Sequence, residues 1–162
     1  MQKKWTYGLL ALLGGLIALF YYNKYKVVPS VDLHKLEIVS ENAQPFNIND
    51  LKGKKLIVSF YASWCGNCIE ELEVINRIKN TELKDIEVVC ITDESFEKLS
   101  QFREGTGYPF LFLKLKKQFS EIGINSIPVT YIVNEKLEVV EENLGYIDWN
   151  DASTLNHIKS LY

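Results

Sequence analysis

Cysteine is scarce in this chain, with three in 162 residues, and histidine scarcer still, with two. Cys65 and Cys68 stand together, whereas Cys90, His34 and His157 are isolated from them and from one another. A structural zinc site needs four such ligands, usually in two clusters, so no metal centre is expected. Basic runs with interleaved aromatic residues are also missing and the net charge is −3, so nucleic acid is not an expected partner. Internal repeats and low-complexity tracts are absent from Leu36 onward, and the length suits one domain with an appendage. Acidic residues are absent from the first 30 positions, where Lys3 and Lys4 are the only charges before Lys24. The residues beyond 22 hold 16 of the 18 Lys and Arg and all 21 Asp and Glu, a net −5. That asymmetry separates a membrane-facing start from a water-facing body.

The start is built for lipid. Residues 5–22 carry no charge and are mostly apolar; as a helix at ~1.5 Å per residue they reach roughly 27 Å, near the hydrocarbon thickness of a bilayer. Trp5 and Tyr7 at one end, and Phe20, Tyr21, Tyr22 and Tyr25 at the other, suit two interfacial belts. A cleaved signal peptide would want small residues at a cleavage site, which "LFYYNKY" does not offer, and no cysteine follows for lipoprotein processing. Residues 1–22 therefore read as an uncleaved anchor, with a cleaved signal or a buried helix as alternatives. Lys3 and Lys4 nearly balance Lys24 and Lys26, so the short first flank and the large following domain decide the orientation, with the domain outside the cytoplasm. Residues 23–35, with Pro29 and no periodicity, read as a tether. Residues 36–162 are the folded domain.

Within that domain, residues 54–63 and 86–94 are continuous β-rich apolar runs, the pattern of strands buried on both faces. A helical pattern between them makes a strand–helix–strand unit, normally a parallel pair with a right-handed crossover. Residues 94–107 predict a second helix and 115–124 a shorter one. Residues 129–145 predict a hairpin around an Asn134–Lys136 turn, and 148–162 a closing amphipathic helix capped by Asp148 or Asn150. The segment from Leu36 to Gly53 reads as short strands and turns before the sheet begins.

Cys65 and Cys68 fall where the first long strand gives way to the first helix, the end of an α/β sheet at which active sites gather. A disulfide across so short a loop removes little unfolded-state entropy, and a domain of this size does not need a staple. Redox work is the better reading. Cys65 is expected to be exposed at the helix start, where unpaired N–H groups and the helix dipole favour a thiolate, with Cys68 one turn later and in reach of it. Gly66 leaves the approach open. On a helical wheel Glu70, Glu73 and Arg77 share one polar face, while Glu71 points between Ile75 and Ile78, one turn beyond Cys68. A carboxylate there is costly unless it has a purpose. It is either a proton acceptor for Cys68, its pKa raised by desolvation, or a side chain that bends back to water or to a lysine. Cys90, inside "VVCI", is expected in the core.

"WCGNC" after a buried strand, with "NSIPVTYIVN" downstream, resembles the thioredoxin superfamily, and the Cys68–Glu71 spacing and apolar start are similar to its TlpA/ResA-like membrane-tethered members. The resemblance covers residues 36–162. It implies an α/β thioredoxin-like fold, a mixed central sheet flanked by helices, preceded by one transmembrane helix. It also implies that Cys65 is the nucleophile and Cys68 the resolving thiol of a redox disulfide, with Ile127–Pro128 a cis peptide facing the pair. Trp64, Gly66, Asn67, Ile127 and Pro128 would then form the surface that docks a client. No cofactor is implied. The implied task is reduction of disulfides in exported proteins, apocytochrome c among the suggested clients, with electrons from a membrane-embedded thiol reductase. The implied place is the periplasmic or extracytoplasmic side of the cell membrane. Two departures matter: Ser59 stands where cytosolic thioredoxins carry an aspartate, and Asn67 where many relatives carry proline. The first makes Glu71 the remaining carboxylate. The second bears on the reduction potential, so a disulfide-forming oxidase stays open, as do a thiol peroxidase and a non-catalytic binding module.

Overall fold

Residues 55–60 are mostly apolar without alternation, and they form an interior strand of the sheet, buried from Leu56 to Phe60. The computed structural model describes residues 7–8, 12–21 and 31–162. In chain order the strands are β1 (Ile38–Ser40), β2 (Pro45–Phe46), β3 (Lys55–Phe60), β4 (Ile86–Thr92), β5 (Leu111–Leu115), β6 (Val129–Val133) and β7 (Val139–Leu144). The helices are α1 (Gly66–Ile78), α2 (Phe96–Thr106) and α3 (Ala152–Ser160). One seven-stranded sheet takes the order β2-β1-β5-β4-β3-β6-β7. β3, β4 and β5 run parallel, and antiparallel strands extend the sheet on both sides. The predicted βαβ unit and the hairpin β6–β7 are both present.

Four expectations need correction. Residues 111–115 form β5, a parallel strand that the sequence reading passed over as part of a helical connection. The shorter helix expected at 115–124 is a 3-10 turn, Phe119–Ile122, closed by Gly123 in the left-handed region at φ 87°. β1 and β2 do not precede the sheet; β1 pairs with β5 and the two strands form one of its edges. The cap of α3 is Asp151, whose carboxylate accepts the Thr154 N–H at 2.9 Å, rather than Asp148 or Asn150. Asp148 instead accepts the N–H of Asn150 in the turn before it.

The sheet separates two apolar layers. Ile57, Tyr61, Val88, Cys90 and Ile132 face a layer shared with Leu72 and Ile75 of α1, Leu99 of α2 and Ile158 of α3. Leu56, Val58, Phe60, Val89 and Tyr131 face the other layer, which is closed by Leu33, Ile48, Leu51 and Phe119 from 3-10 turns. Helices therefore flank the sheet on one side only, among the described residues. Val31 and Leu33 are buried in this second layer, so the segment read as a tether is packed from residue 31 on. Residues 12–21 are helical and exposed. Residues 5–6, 9–11 and 22 of the anchor and 23–30 of the tether fall outside the described residues. Among the described residues, no helix is long and apolar enough to cross a membrane.

Candidate active site

β3 ends at Phe60, and the chain turns at once. Cys65 N–H donates to Ala62 O at 3.0 Å, closing a four-residue turn with Ser63 and Trp64 at its tip. Cys65 is thereby the N-cap of α1, and its sulfur accepts the Cys68 N–H at 3.3 Å. The two cysteines are joined as a disulfide with their Cα atoms 5.3 Å apart. Cys65 keeps 8% of its surface and Cys68 none, which corrects the expectation of a well-exposed nucleophile. In the disulfide state only an edge of Cys65 meets solvent, and that is still the one sulfur a client could reach. The geometry supplies a thiolate-favouring helix start for Cys65 and leaves Cys68 internal.

The neighbours of the pair divide into exposed and buried groups. Trp64 is 74% exposed, an aromatic ring left in water beside the disulfide. Gly66 and Asn67 are exposed too, and nothing lies within 4 Å of the position a Gly66 Cβ would occupy. No internal contact therefore demands glycine there. Ile127–Pro128 is a cis peptide. Val129, the next residue, pairs with Phe60 at the end of β3, so the proline loop lies beside the turn that carries the cysteines. Trp64, Ile127, Phe119 and Ile124 line one groove of about 470 Å³ between this loop and the 3-10 turn.

Behind Cys68, on the same helix, Glu71 is fully buried. One carboxylate oxygen accepts the backbone N–H of Ile147, and the other has no partner. Burial pushes its pKa up from 4.5 to about 8, against the lowering effect of the Ile147 N–H and with a further push from Glu70. Helical period sets Glu71 inward; its bonding partner, Ile147, lies 76 residues away and has no signal in the sequence. Ser59 faces the same layer, with Cys90 and Thr130 opposite it on the neighbouring strands and both buried. Burial also pushes the Cys90 thiol up, and as a free buried cysteine it stands apart from the pair. The sequence reading also missed Glu94. Its carboxylate takes both the N–H and the hydroxyl of Ser63, at 2.6 and 2.9 Å.

A strand-end disulfide capping a helix, a cis-proline loop beside it and a neutralised carboxylate behind it make a thiol–disulfide exchange site. Residues 25–158 match the Redoxin family. The chain belongs to that family. Its similarity to the thioredoxin-like protein YneN of Bacillus subtilis is 25% identity over 158 residues, 90% of this chain and 92% of that one. Against the thiol-disulfide oxidoreductase ResA of Bacillus thuringiensis it is 22% over 130 residues, 78% of this chain and 75% of that one. A thioredoxin-like protein of Porphyromonas gingivalis superposes with a TM-score of 0.65 at 19% identity, over 83% of this chain and 93% of that one. The exposed lipoprotein thioredoxin of Streptococcus pneumoniae gives 0.58 at 21%, over 76% and 97%. These structural likenesses show the thioredoxin-like fold. As a Redoxin-family protein with a disulfide-forming CxxC pair and ResA-like relatives, the chain is a thiol–disulfide oxidoreductase.

Proposed function

We propose that this Redoxin-family protein reduces disulfides in exported proteins from the outer side of a membrane. The observation that carries the reading is the asymmetry of the pair: Cys65 at the helix start keeps a solvent edge, while Cys68 is sealed beside a carboxylate that holds a proton. In the reduced protein the Cys65 thiolate attacks a client disulfide, forming a mixed disulfide and releasing one client thiolate, which takes up a proton. In the fraction of molecules whose Glu71 is ionised, Cys68 passes its proton to that carboxylate, and the Cys68 thiolate attacks the Cys65 sulfur. The second client sulfur leaves as a thiolate and takes up the proton that Glu71 received, and the Cys65–Cys68 disulfide remains. Two electrons have moved to the client. A raised pKa suits Glu71 to this exchange, since it can hold the proton that Cys68 gives up.

Client docking is assigned to Trp64, Gly66, Asn67, Ile127 and Pro128. The exposed ring and the groove beside the proline loop support an extended chain lying next to Cys65. The apolar run at 5–22 supports a single-pass anchor at the cell membrane, with the domain on the extracytoplasmic side. A membrane-embedded thiol reductase would return the pair to its dithiol form, and apocytochrome c is a candidate client. The test is partner trapping with Cys68→Ser, which removes the resolving thiol. Mixed disulfides with exported proteins should accumulate on Cys65. A variant that captures none, or a wild-type protein found to oxidise reduced clients in preference, would replace this reading with the oxidase or the binding module.

A further inference from the structure

The turn that delivers Cys65 is held by a carboxylate from another element. Glu94 lies just past the end of β4, with its backbone N–H on the Thr92 hydroxyl at 3.2 Å. Both of its carboxylate oxygens are engaged with Ser63, one by the backbone N–H and one by the side-chain hydroxyl. Ser63 is two residues before Cys65, inside the turn closed from Cys65 N–H to Ala62 O. The donors are neutral, and no Lys or Arg pairs with Glu94 among the described residues. The nearby cation, Lys114, is directed to the carbonyls of Asp93 and Leu115 and over the Phe96 ring. Asp93 lines the groove below Trp64, Glu71 lies behind Cys68 with Glu70 acting on it, and the buried Tyr61 is a titratable group on which the Glu94 charge acts. Glu94 thus has no cationic partner among the described residues and is fixed by two bonds to the turn that presents the nucleophile.

We propose that Glu94 tunes the Cys65–Cys68 pair toward giving up electrons, by holding a fixed negative charge against the turn that presents Cys65. A like charge near a thiolate disfavours it. The helix start stabilises the Cys65 thiolate and so favours the dithiol state; Glu94 opposes that, which favours the disulfide state and makes the pair a stronger reductant. The assignment rests on the reductive reading above and supplies a residue for it. Glu94 is bonded to Ser63 and reaches the cysteine pair through that turn, so it is a positioning residue.

The measurement is the equilibrium of the purified protein with glutathione, together with the pH profile of Cys65 alkylation. Glu94→Gln, nearly isosteric and neutral, should move the equilibrium several-fold toward the dithiol form. A tenfold shift would correspond to about 30 mV. The same change should lower the pH at which Cys65 becomes reactive. Glu94→Asp keeps the charge and should recover more than half of the difference, which a purely structural role would not predict. Ser63→Ala keeps the charge as well and should shift less than Glu94→Gln. A mutation-free arm adds salt: at about 1 M, where the Debye length is ~3 Å, the wild type should move toward the Gln value. An unmoved or oppositely moved equilibrium in Glu94→Gln, an equal shift in Glu94→Asp, or a wild type indifferent to salt would overturn the assignment. A wild-type potential above that of glutathione would instead sink the reductase reading, leaving the difference between Glu94→Gln and wild type to be read separately.

Discussion

Glu71 shows most directly how one residue joins stability to chemistry. Its folded pKa of about 8 lies above the ordinary 4.5, so the native state binds a proton that the unfolded state has already lost between those values. The sign follows: the stabilising balance is fully present below about pH 4.5, declines as pH rises and is gone once pH passes about 8. Glu71→Gln keeps the shape and removes the titration. Its stability should therefore be flat over that window, exceeding the wild type by a few kcal/mol at the alkaline end, as read by urea unfolding at several pH values. In the same variant, release of a trapped client by Cys68 should slow, while attack by Cys65 changes little. Identical unfolding curves across the range would mean that the pocket does not raise the Glu71 pKa on folding. The inward position of Glu71 was readable from the wheel because helical period alone decides it. Its partner Ile147 was not, because that contact is made only when the chain after β7 returns across α1.

At the scale of elements, β5 is where local pattern and fold disagreed. "PFLFLKLKKQ" is short and runs straight into a lysine pair, and no periodicity separates it from a buried helical connection. Pairing decided it: Leu111–Leu115 gains β4 on one side and β1 on the other, so Leu113 becomes fully buried. Leu113→Ala should consequently cost about 3 kcal/mol in denaturant unfolding, the usual penalty for a core leucine. A cost below about 1 kcal/mol would suit a half-exposed connection and would contradict the strand. β3, α1 and β4 were readable because each is long and strongly patterned. The cap of α3 was missed because three Asx residues compete within four positions, and only the direction of the chain out of Ile147 selects Asp151.

The whole molecule is a two-layered domain whose redox end is set by the carboxyl end of β3, and whose start carries the apolar segment. If residues 5–22 are the anchor, the full chain should fractionate with membranes and resist extraction by salt and alkali. Deleting residues 1–30 should release a soluble domain that keeps the two packed layers, in which Val31 and Leu33 are buried. A full-length chain found in the soluble fraction would remove the anchor, and with it the membrane-bound electron donor. The insulation of Cys68 is also a property of the whole domain: α1, β3 and the chain following β7 must all be in place before its thiol is shielded.

What the sequence by itself determined is local: the cysteine pair at a strand-to-helix junction, the inward set of Glu71, the buried strands β3 and β4, the hairpin and the apolar start. Each follows from periodicity, spacing or charge within about twenty residues, and these act before any long-range contact exists. Only the tertiary structure decided the edge formed by β1 and β2, the strand character of β5, the single-sided placement of the helices, and the bonds from Ile147 to Glu71 and from Ser63 to Glu94. Those depend on which segments the sheet brings side by side. Backbone donors and half-exposed carboxylates carry no composition or period that would mark them in advance.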